Sequence, residues 1–241
     1  MDKSQPFVSV VTPTYNRRNF IPYLIQCYEQ QAYPLANMEW IILDDGQDKV
    51  GDLFTHAATR IPNLKYVAMP EDEKLTIGEK RNKLNDAARG DIIIAMDDDD
   101  YYPPERVQHV VQKFKQNPKI DLAGSSEIYM YYSDVKEIYK FGPYMPNHAT
   151  NGTMGWRASY AKTHRYDETV THAEEKSFLE EYKHPMIQLD PFKVMLVMSH
   201  SENTFDKKKM RETPSPFVKK TTFKIQDFIK DATIRAFFSN A

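Results

Sequence analysis

The sequence predicts an α/β fold with a Rossmann-like half, built on a mostly parallel sheet. This half joins a less regular half, and a helical tail closes the chain. Three observations lead there. Short apolar runs rich in β-branched residues alternate with stretches of helical spacing over about the first 117 residues. The runs are nearly continuous rather than alternating, as suits strands buried on both faces in a parallel sheet. Polar clusters follow three of them directly: Thr14-Tyr15-Asn16, Asp44-Asp45 and Asp97 to Asp100. In open α/β sheets, ligands bind beyond the carboxyl ends of the strands, where these clusters would lie.

Taken in order, Phe7 to Val11 is a first strand, stopped by Thr12-Pro13-Thr14. Phe20 to Gln31 has helical spacing, with Ile21, Leu24, Ile25 and Tyr28 on one stripe. Met38 to Leu43 is a second strand, followed by a helix to about Arg60 and a strand at Leu64 to Ala68. Gly78 to Arg89 reads as a helix and Asp91 to Met96 as a fourth strand. Pro103-Pro104-Glu105 opens a helix through about Gln116, with proline near its first turn and glutamate beside the positive end of the dipole. Leu122 to Tyr132 and Val135 to Phe141 read as a hairpin turning at Ser133-Asp134. Asn147 to Gly155 is loop-like, His172 to Tyr182 reads as a helix, and Met186 to Leu189 and Lys193 to Met198 read as short strands. The division expected is a body over 1–204, with a nucleotide half over about 1–117 and an acceptor half over 118–204, followed by a tail over 205–241.

Length and composition narrow the function classes. With 241 residues, 41% of them apolar, the chain can bury one sizeable core, with or without an appendage. Fifteen prolines against eight glycines exclude a Gly-rich linker architecture or a collagen-like repeat. No apolar run approaches the ~20 residues that span a bilayer. Met1 to Pro6 is short and polar, so no secretory signal is expected. The single cysteine, Cys27, has no intramolecular disulfide partner, and a reducing, cytoplasmic compartment is expected. A net charge of −2 argues against a nucleic-acid partner. The charge is uneven, however. Asp206 to Ala241 holds nine Lys/Arg against four Asp/Glu, leaving 23 basic and 30 acidic residues in the first 205.

Four consecutive aspartates after a buried strand repel one another unless something cationic sits among them. Carboxylates at a strand end suit a hard divalent ion such as Mg²⁺ or Mn²⁺ sharing a diphosphate. The competing reading is a solvated acidic turn before the next helix. An EF-hand loop is excluded: counted from Asp97, its glycine position is Tyr102 and its last glutamate position is Gln108.

Around that run, the chain has Ser9 to Arg17 (Ser-Val-Val-Thr-Pro-Thr-Tyr-Asn-Arg), Asp44 to Gln47, Arg81-Asn82, Ala88 to Asp100, and Pro104 to Arg106. In this order the sequence resembles the family 2 glycosyltransferases, which have a GT-A fold. The resemblance covers about residues 7 to 110 strongly and 150 to 204 weakly. It implies an inverting transfer of a sugar from a nucleotide-diphosphate donor, with a UDP-sugar favoured. The acceptor would be a hydroxyl of a glycan, lipid-linked or protein-linked molecule, and Mn²⁺ or Mg²⁺ would sit on the diphosphate.

The resemblance also implies roles for individual residues. Pro13, Thr14, Tyr15 and Asn16 would contact the nucleotide, and Asp45 would accept a hydrogen bond from the base. Arg81 would offset the nucleotide's charge. The family's D-x-D pair falls at Asp97 and Asp99. Asp97 and Asp98 would face the ribose and neighbouring backbone, Asp99 would ligate the metal directly, and Asp100 would be structural. Read from the residues alone, Asp44 and Asp45 also suit capping the following helix, with Asp44 the cap and Asp45 the better site candidate, and Arg81 suits a surface pair with Glu79 or Asp86.

Inverting transfer needs a carboxylate to take the acceptor's proton. Family members carry an acidic pair, usually Glu-Asp, at the start of a helix in the acceptor half. The matching residues here are Glu174-Glu175, a departure at the second position, which gives Glu175 as the base and Glu174 as the alternative. His200, in Ser-His-Ser-Glu-Asn-Thr, resembles the family's H-x-x-N-T segment and would reach the metal or diphosphate. Gly152 to Trp156 matches a family loop, with Trp156 either stacked on a sugar or packed in the core. Asn151-Gly152-Thr153 also has the form of a glycosylation sequon.

From Phe217 onward, aromatic and aliphatic residues alternate with Lys219, Lys220, Lys224, Lys230 and Arg235. Such a segment either docks on the body with a solvated lysine face or makes peripheral contact with an anionic membrane. Two further functional classes stand beside the transferase: an inactive nucleotide- or glycan-binding module, and a sugar nucleotidyltransferase. The latter needs a Gly-rich phosphate loop after the first strand, whereas no glycine precedes Gly46.

Overall fold

The two longest apolar runs become strands β1 (Val8–Thr14) and β2 (Met38–Asp44), and all seven residues of each are buried. The structure, a computed structural model, describes residues 5–170, 173–201, 203 and 207–240. After β1 come α1 (Ile21–Glu29), β2, α2 (Gly51–Ala57), β3 (Leu64–Ala68), α3 (Ile77–Ala87), β4 (Ile92–Ala95) and α4 (Arg106–Gln116). Then follow β5 (Leu122–Gly124), β6 (Ile128–Tyr132), β7 (Glu137–Phe141), β8 (Gly155–Arg157), α5 (Ala158–Ala161) and α6 (Glu175–Phe178). The chain continues through β9 (Met186–Gln188), β10 (Leu196–Ser199), α7 (Lys208–Glu212), β11 (Val218–Lys220), α8 (Ile225–Phe228) and α9 (Ala232–Phe238).

Seven strands form one sheet in the order β3-β2-β1-β4-β8-β5-β9. Its first four members are parallel, and β8 runs antiparallel between β4 and β5. Three strands of the acceptor half therefore continue the sheet of the nucleotide half. Alternate residues of each strand face opposite sides. Val8, Val10, Trp40 and Ile42 join one core with residues of α1, α2 and α4, while Val11, Ile41, Leu43 and Ile93 join a second with residues of α3, α5 and α6. Burial on both faces is what the continuous apolar runs encoded. Helix α3 starts in a capping box: Thr76 Oγ1 accepts from Glu79 N at 3.2 Å, and Glu79 Oε2 accepts from Thr76 N at 2.7 Å.

Two expectations are corrected. The strand expected over Leu122 to Tyr132 breaks at Ser125-Ser126, whose amides leave the ladder to donate to Thr153 Oγ1 and Gln188 Oε1. Its halves lie in different sheets, and β6 pairs with β7 in the expected hairpin. The helix expected over His172 to Tyr182 shrinks to α6, because Glu180, Glu181 and Tyr182 have φ of 44°, 58° and 61°, outside the right-handed region. His172 lies outside the described residues.

The basic tail docks. β11 adds an antiparallel strand to β7 in the second sheet, β10-β6-β7-β11. Ile229, Ile234 and Phe238 are buried in the first core, and Phe237 stacks on Tyr23 of α1 at 3.8 Å between ring centroids. Among the described residues, no helix is long and apolar enough to cross a membrane.

Candidate active site

β1 lies between β2 and β4, so the strand order reverses there and a crevice opens beyond the carboxyl ends. A cavity of about 180 Å³ occupies it, lined by Pro13, Thr14, Tyr15, Arg81, Asp97 and Asp98 among others. Arg17 and Lys80 line it too, and neither was singled out from the sequence. Arg17 sits 3.9 Å from Asp98 and 3.8 Å from Asp99. The only signal for it was its place at the end of the Tyr-Asn-Arg run. Lys74 and Lys80 bring their ammonium groups to 4.6 and 5.6 Å from the centroid of the Tyr15 ring.

The two aspartates after β2 divide their work. Asp44 is fully buried and accepts from Gly46 N, Val50 N and the Tyr66 hydroxyl at 2.8, 3.0 and 2.6 Å, so it builds the turn into α2. Asp45 Oδ1 accepts from Lys80 Nζ at 2.6 Å and Oδ2 from Leu75 N at 3.0 Å. The Asp45 side chain is fully buried and does not line the cavity; it holds Lys80, which does. Asn16 is not among the lining residues. Its φ is 54°, and its Oδ1 accepts from Gln47 N and Asp48 N at 2.8 and 3.1 Å. It braces the loop after β2, because a short amide side chain in the left-handed region reaches neighbouring backbone more readily than a ligand.

A second cavity, of about 460 Å³, opens on the other side of the aspartate run and shares Asp97 and Asp99 with the first. Glu175, His148, Thr150 and Lys207 line it, with Met130 and Met195 on its apolar wall. Two aspartates thus separate a small polar crevice from a wider, less polar chamber.

The four aspartates have different surroundings. Asp97 Oδ1 accepts from Arg81 at 3.0 Å. Asp98 is pushed up to about 7 by burial and by its neighbour Asp99. For Asp99 burial acts in the same direction, but Lys207, His200 and Arg17 outweigh it and hold the carboxyl well below its usual range. Asp100 Oδ1 accepts from Met198 N at 2.8 Å, which joins the aspartate run to β10, and Asp100 also lines the larger cavity. Arg106, from the Pro-x-Arg run, is fully buried and donates to the carbonyls of Ala95, Gly152 and Met154 at 3.2, 3.2 and 2.8 Å.

Donor chemistry at Asp99 fits a divalent cation. Asn203 Oδ1 accepts from His200 N at 2.8 Å, which fixes the amide so that Nδ2 donates to Asp99 Oδ2 at 3.1 Å and His200 Nε2 at 2.8 Å. His200 Nε2 and Asp99 Oδ2 lie 3.3 Å apart, about the spacing of neighbouring ligands on one ion, and a cation bound by both would replace the Asn203 N–H that the imidazole lone pair accepts. His200 is thereby brought to Asp99, while Asp97 is held by Arg81. Glu202 and Thr204 of the same segment lie outside the described residues.

The adjacent glutamates part company. Glu174 is buried and its Oε1 accepts from Arg81 Nε at 2.7 Å. Glu175, first residue of α6, lines the larger cavity, and burial with the charge of Glu174 pushes its carboxyl up to about 7. Trp156 is core: 1% exposed on β8, it donates from Nε1 to Asn85 Oδ1 at 3.2 Å.

The family model described as Glycosyl transferase family 2 matches residues 9–180. The chain belongs to glycosyl transferase family 2. An uncharacterized glycosyltransferase of Haemophilus influenzae is 31% identical to it over 117 residues, 47% of this chain and 36% of that protein. The undecaprenyl-phosphate 4-deoxy-4-formamido-L-arabinose transferase of Pseudomonas syringae pv. syringae is 30% identical over 112 residues, 46% of this chain and 33% of that one. The alignments thus span well under half of these relatives. Among solved structures, residues 1-349 of S. aureus TarS in complex with UDP-GlcNAc superpose with a TM-score of 0.65 at 19% identity, covering 81% of this chain and 59% of that one. Mannosyltransferase PcManGT from Pyrobaculum calidifontis, in complex with GDP-Man and Mn²⁺, gives 0.63 at 15% identity, covering 83% and 59%. The fold of this family 2 chain is therefore GT-A.

Proposed function

We propose that this family 2 chain is an inverting glycosyltransferase acting on a nucleotide-diphosphate sugar, with a UDP-sugar favoured, and a hydroxyl acceptor on a glycan, lipid-linked or protein-linked molecule. The observation that carries this reading is the shared wall: Asp97 and Asp99 border both the crevice beyond β1 and the chamber that holds Glu175. The donor occupies the crevice, with Tyr15 against the base and Arg17, Lys80 and Arg81 offsetting the diphosphate. The acceptor enters the chamber. Glu175 takes the hydroxyl proton as the acceptor oxygen bonds to the anomeric carbon and the bond to the diphosphate oxygen breaks. Asp99 and His200 would hold Mn²⁺ or Mg²⁺, which would supply charge stabilisation for the departing diphosphate. The complexes of TarS with UDP-GlcNAc and of PcManGT with GDP-Man and Mn²⁺ support this class of donor and metal.

The test is a thermal-shift screen of UDP, GDP and dTDP sugars with Mn²⁺, followed by donor turnover on the best binder. Stabilisation by one nucleotide class, with Mn²⁺-dependent release of its diphosphate, is the expected result. Binding without turnover, with or without acceptors, would favour an inactive binding module, the reading left open by glutamate in place of the usual aspartate at position 175.

A further inference from the structure

Outside both cavities, His164, Glu180 and His184 each bring a ligand atom within 4.8 Å of the others. His164 Nε2 lies 3.4 Å from Glu180 Oε1, and His184 Nε2 lies 3.0 Å from Glu180 Oε2. Nδ1 of His164 lies 3.0 Å from the Tyr160 carbonyl and 2.9 Å from Thr163 Oγ1, whose hydroxyl can donate to Nδ1 or, when turned to the Tyr160 carbonyl, accept from it. With Nδ1–H donated to the carbonyl, Nε2 of the neutral ring carries a lone pair. That lone pair faces a carboxylate oxygen, an arrangement that needs a proton or a metal cation between the two. Among the described residues, no lysine or arginine forms an ion pair with Glu180.

We infer that His164, Glu180 and His184 form a binding site for a borderline divalent metal, with Zn²⁺ the best match, which fastens the segment bearing Glu175 to the end of α5. Imidazole nitrogen and carboxylate oxygen are the donors Zn²⁺ prefers when thiolates are absent, and tetrahedral coordination sets neighbouring donors ~3.3 Å apart. His164 approaches one oxygen of Glu180 at 3.4 Å and His184 the other at 3.0 Å, so the carboxylate faces both imidazoles. A ring N–H donated to a backbone carbonyl, as at Tyr160, is the usual support of a metal-bound histidine. The Tyr160 ring also lies flat on His164, with centroids 3.8 Å apart and planes 1° from parallel. Solvent takes the fourth position.

The position in the fold gives the site a consequence. Glu180 begins the left-handed turn 180–182, a conformation that L-residues avoid unless tertiary contacts hold it. Upstream, the Tyr160 hydroxyl donates to the carbonyl of Phe178, the last residue of α6, at 2.7 Å. Downstream, Tyr182 stacks on His148, a lining residue of the larger cavity, at 5.0 Å. A metal on these three side chains ties both ends of the segment to α5. The site stands whether or not the transfer reaction does.

The experiment is calorimetric titration of chelator-treated protein with ZnCl₂ in an Asp99→Asn background, which disables the carboxylate–imidazole pair of the active site. One Zn²⁺ per chain with micromolar or tighter affinity is expected. Glu180→Gln and His184→Ala should each weaken it at least about tenfold. Both side chains are partly exposed, 53% and 34%, so either variant should fold. Zn²⁺ should also slow hydrogen exchange across residues 176–184 in the parent and not in His184→Ala. No uptake by the parent would overturn the site. Uptake unchanged in both variants would overturn it equally. Should one variant fail to fold, the other and the parent titration decide.

Discussion

Arg81 and Glu174 form a hydrogen-bonded ion pair, Nε to Oε1 at 2.7 Å, with both side chains 9% exposed. The pair joins α3 to the residue preceding α6, and the other arm of Arg81 holds Asp97 at 3.0 Å. One guanidinium thus ties the aspartate run to the acidic pair of the acceptor side. It also divides that pair, leaving Glu174 bound to Arg81 and Glu175 facing the larger cavity.

The two glutamates should therefore respond differently to substitution. Glu175→Gln keeps its size and loses only proton acceptance, so transfer should fall by about two to four orders of magnitude. Donor affinity should stay within a few-fold, by calorimetry with UDP-sugar and Mn²⁺. Glu174→Ala should instead cost about 3 kcal/mol of stability, because it removes a buried partner of Arg81. A fully active Glu175→Gln enzyme would move the base elsewhere.

The elevated Glu175 carboxyl predicts a pH profile. Below about 7 the group is protonated and cannot accept a proton, so kcat/KM should rise with pH through about 7 and level off above it. Burial and the charge of Glu174 both favour the protonated form. Replacing Glu174 by glutamine removes that charge and should shift the rise to lower pH. A profile flat from pH 5 to 9 would contradict the assignment.

Nucleotide binding should require a divalent ion at Asp99. Asp99→Ala should abolish Mn²⁺-dependent UDP affinity while retaining a cooperative thermal transition, since Asp99 borders cavities rather than filling a core. Equal UDP affinity in EDTA and in Mn²⁺ would remove the metal from the reading.

The tail should prove to be a structural part of the body. Phe238 is 2% exposed, so Phe238→Ala should cost about 3 kcal/mol. Deleting residues 217–241 should uncover Tyr23 and Phe20 of the first core and lower solubility or melting temperature. A truncated protein that melts like the parent but no longer associates with anionic vesicles would favour the membrane reading instead.

The amino-acid sequence by itself determined the parallel sheet and the edge where the site lies. Continuous apolar runs such as Ile92 to Ala95 suit only strands buried on both faces, and the aspartates that follow must emerge at their carboxyl ends. Those signals are local, carried by neighbouring residues along the chain. Tertiary structure decided which polar groups meet. Lys80 lies 35 positions from Asp45, Arg81 lies 93 from Glu174, and Asp99 lies 101 from His200. No periodicity encodes such pairings, because they arise only when separate strands and helices stack. The left-handed turn at 180–182 escaped for the same reason: glutamate and tyrosine prefer right-handed backbone, and packing across the fold overrode that preference.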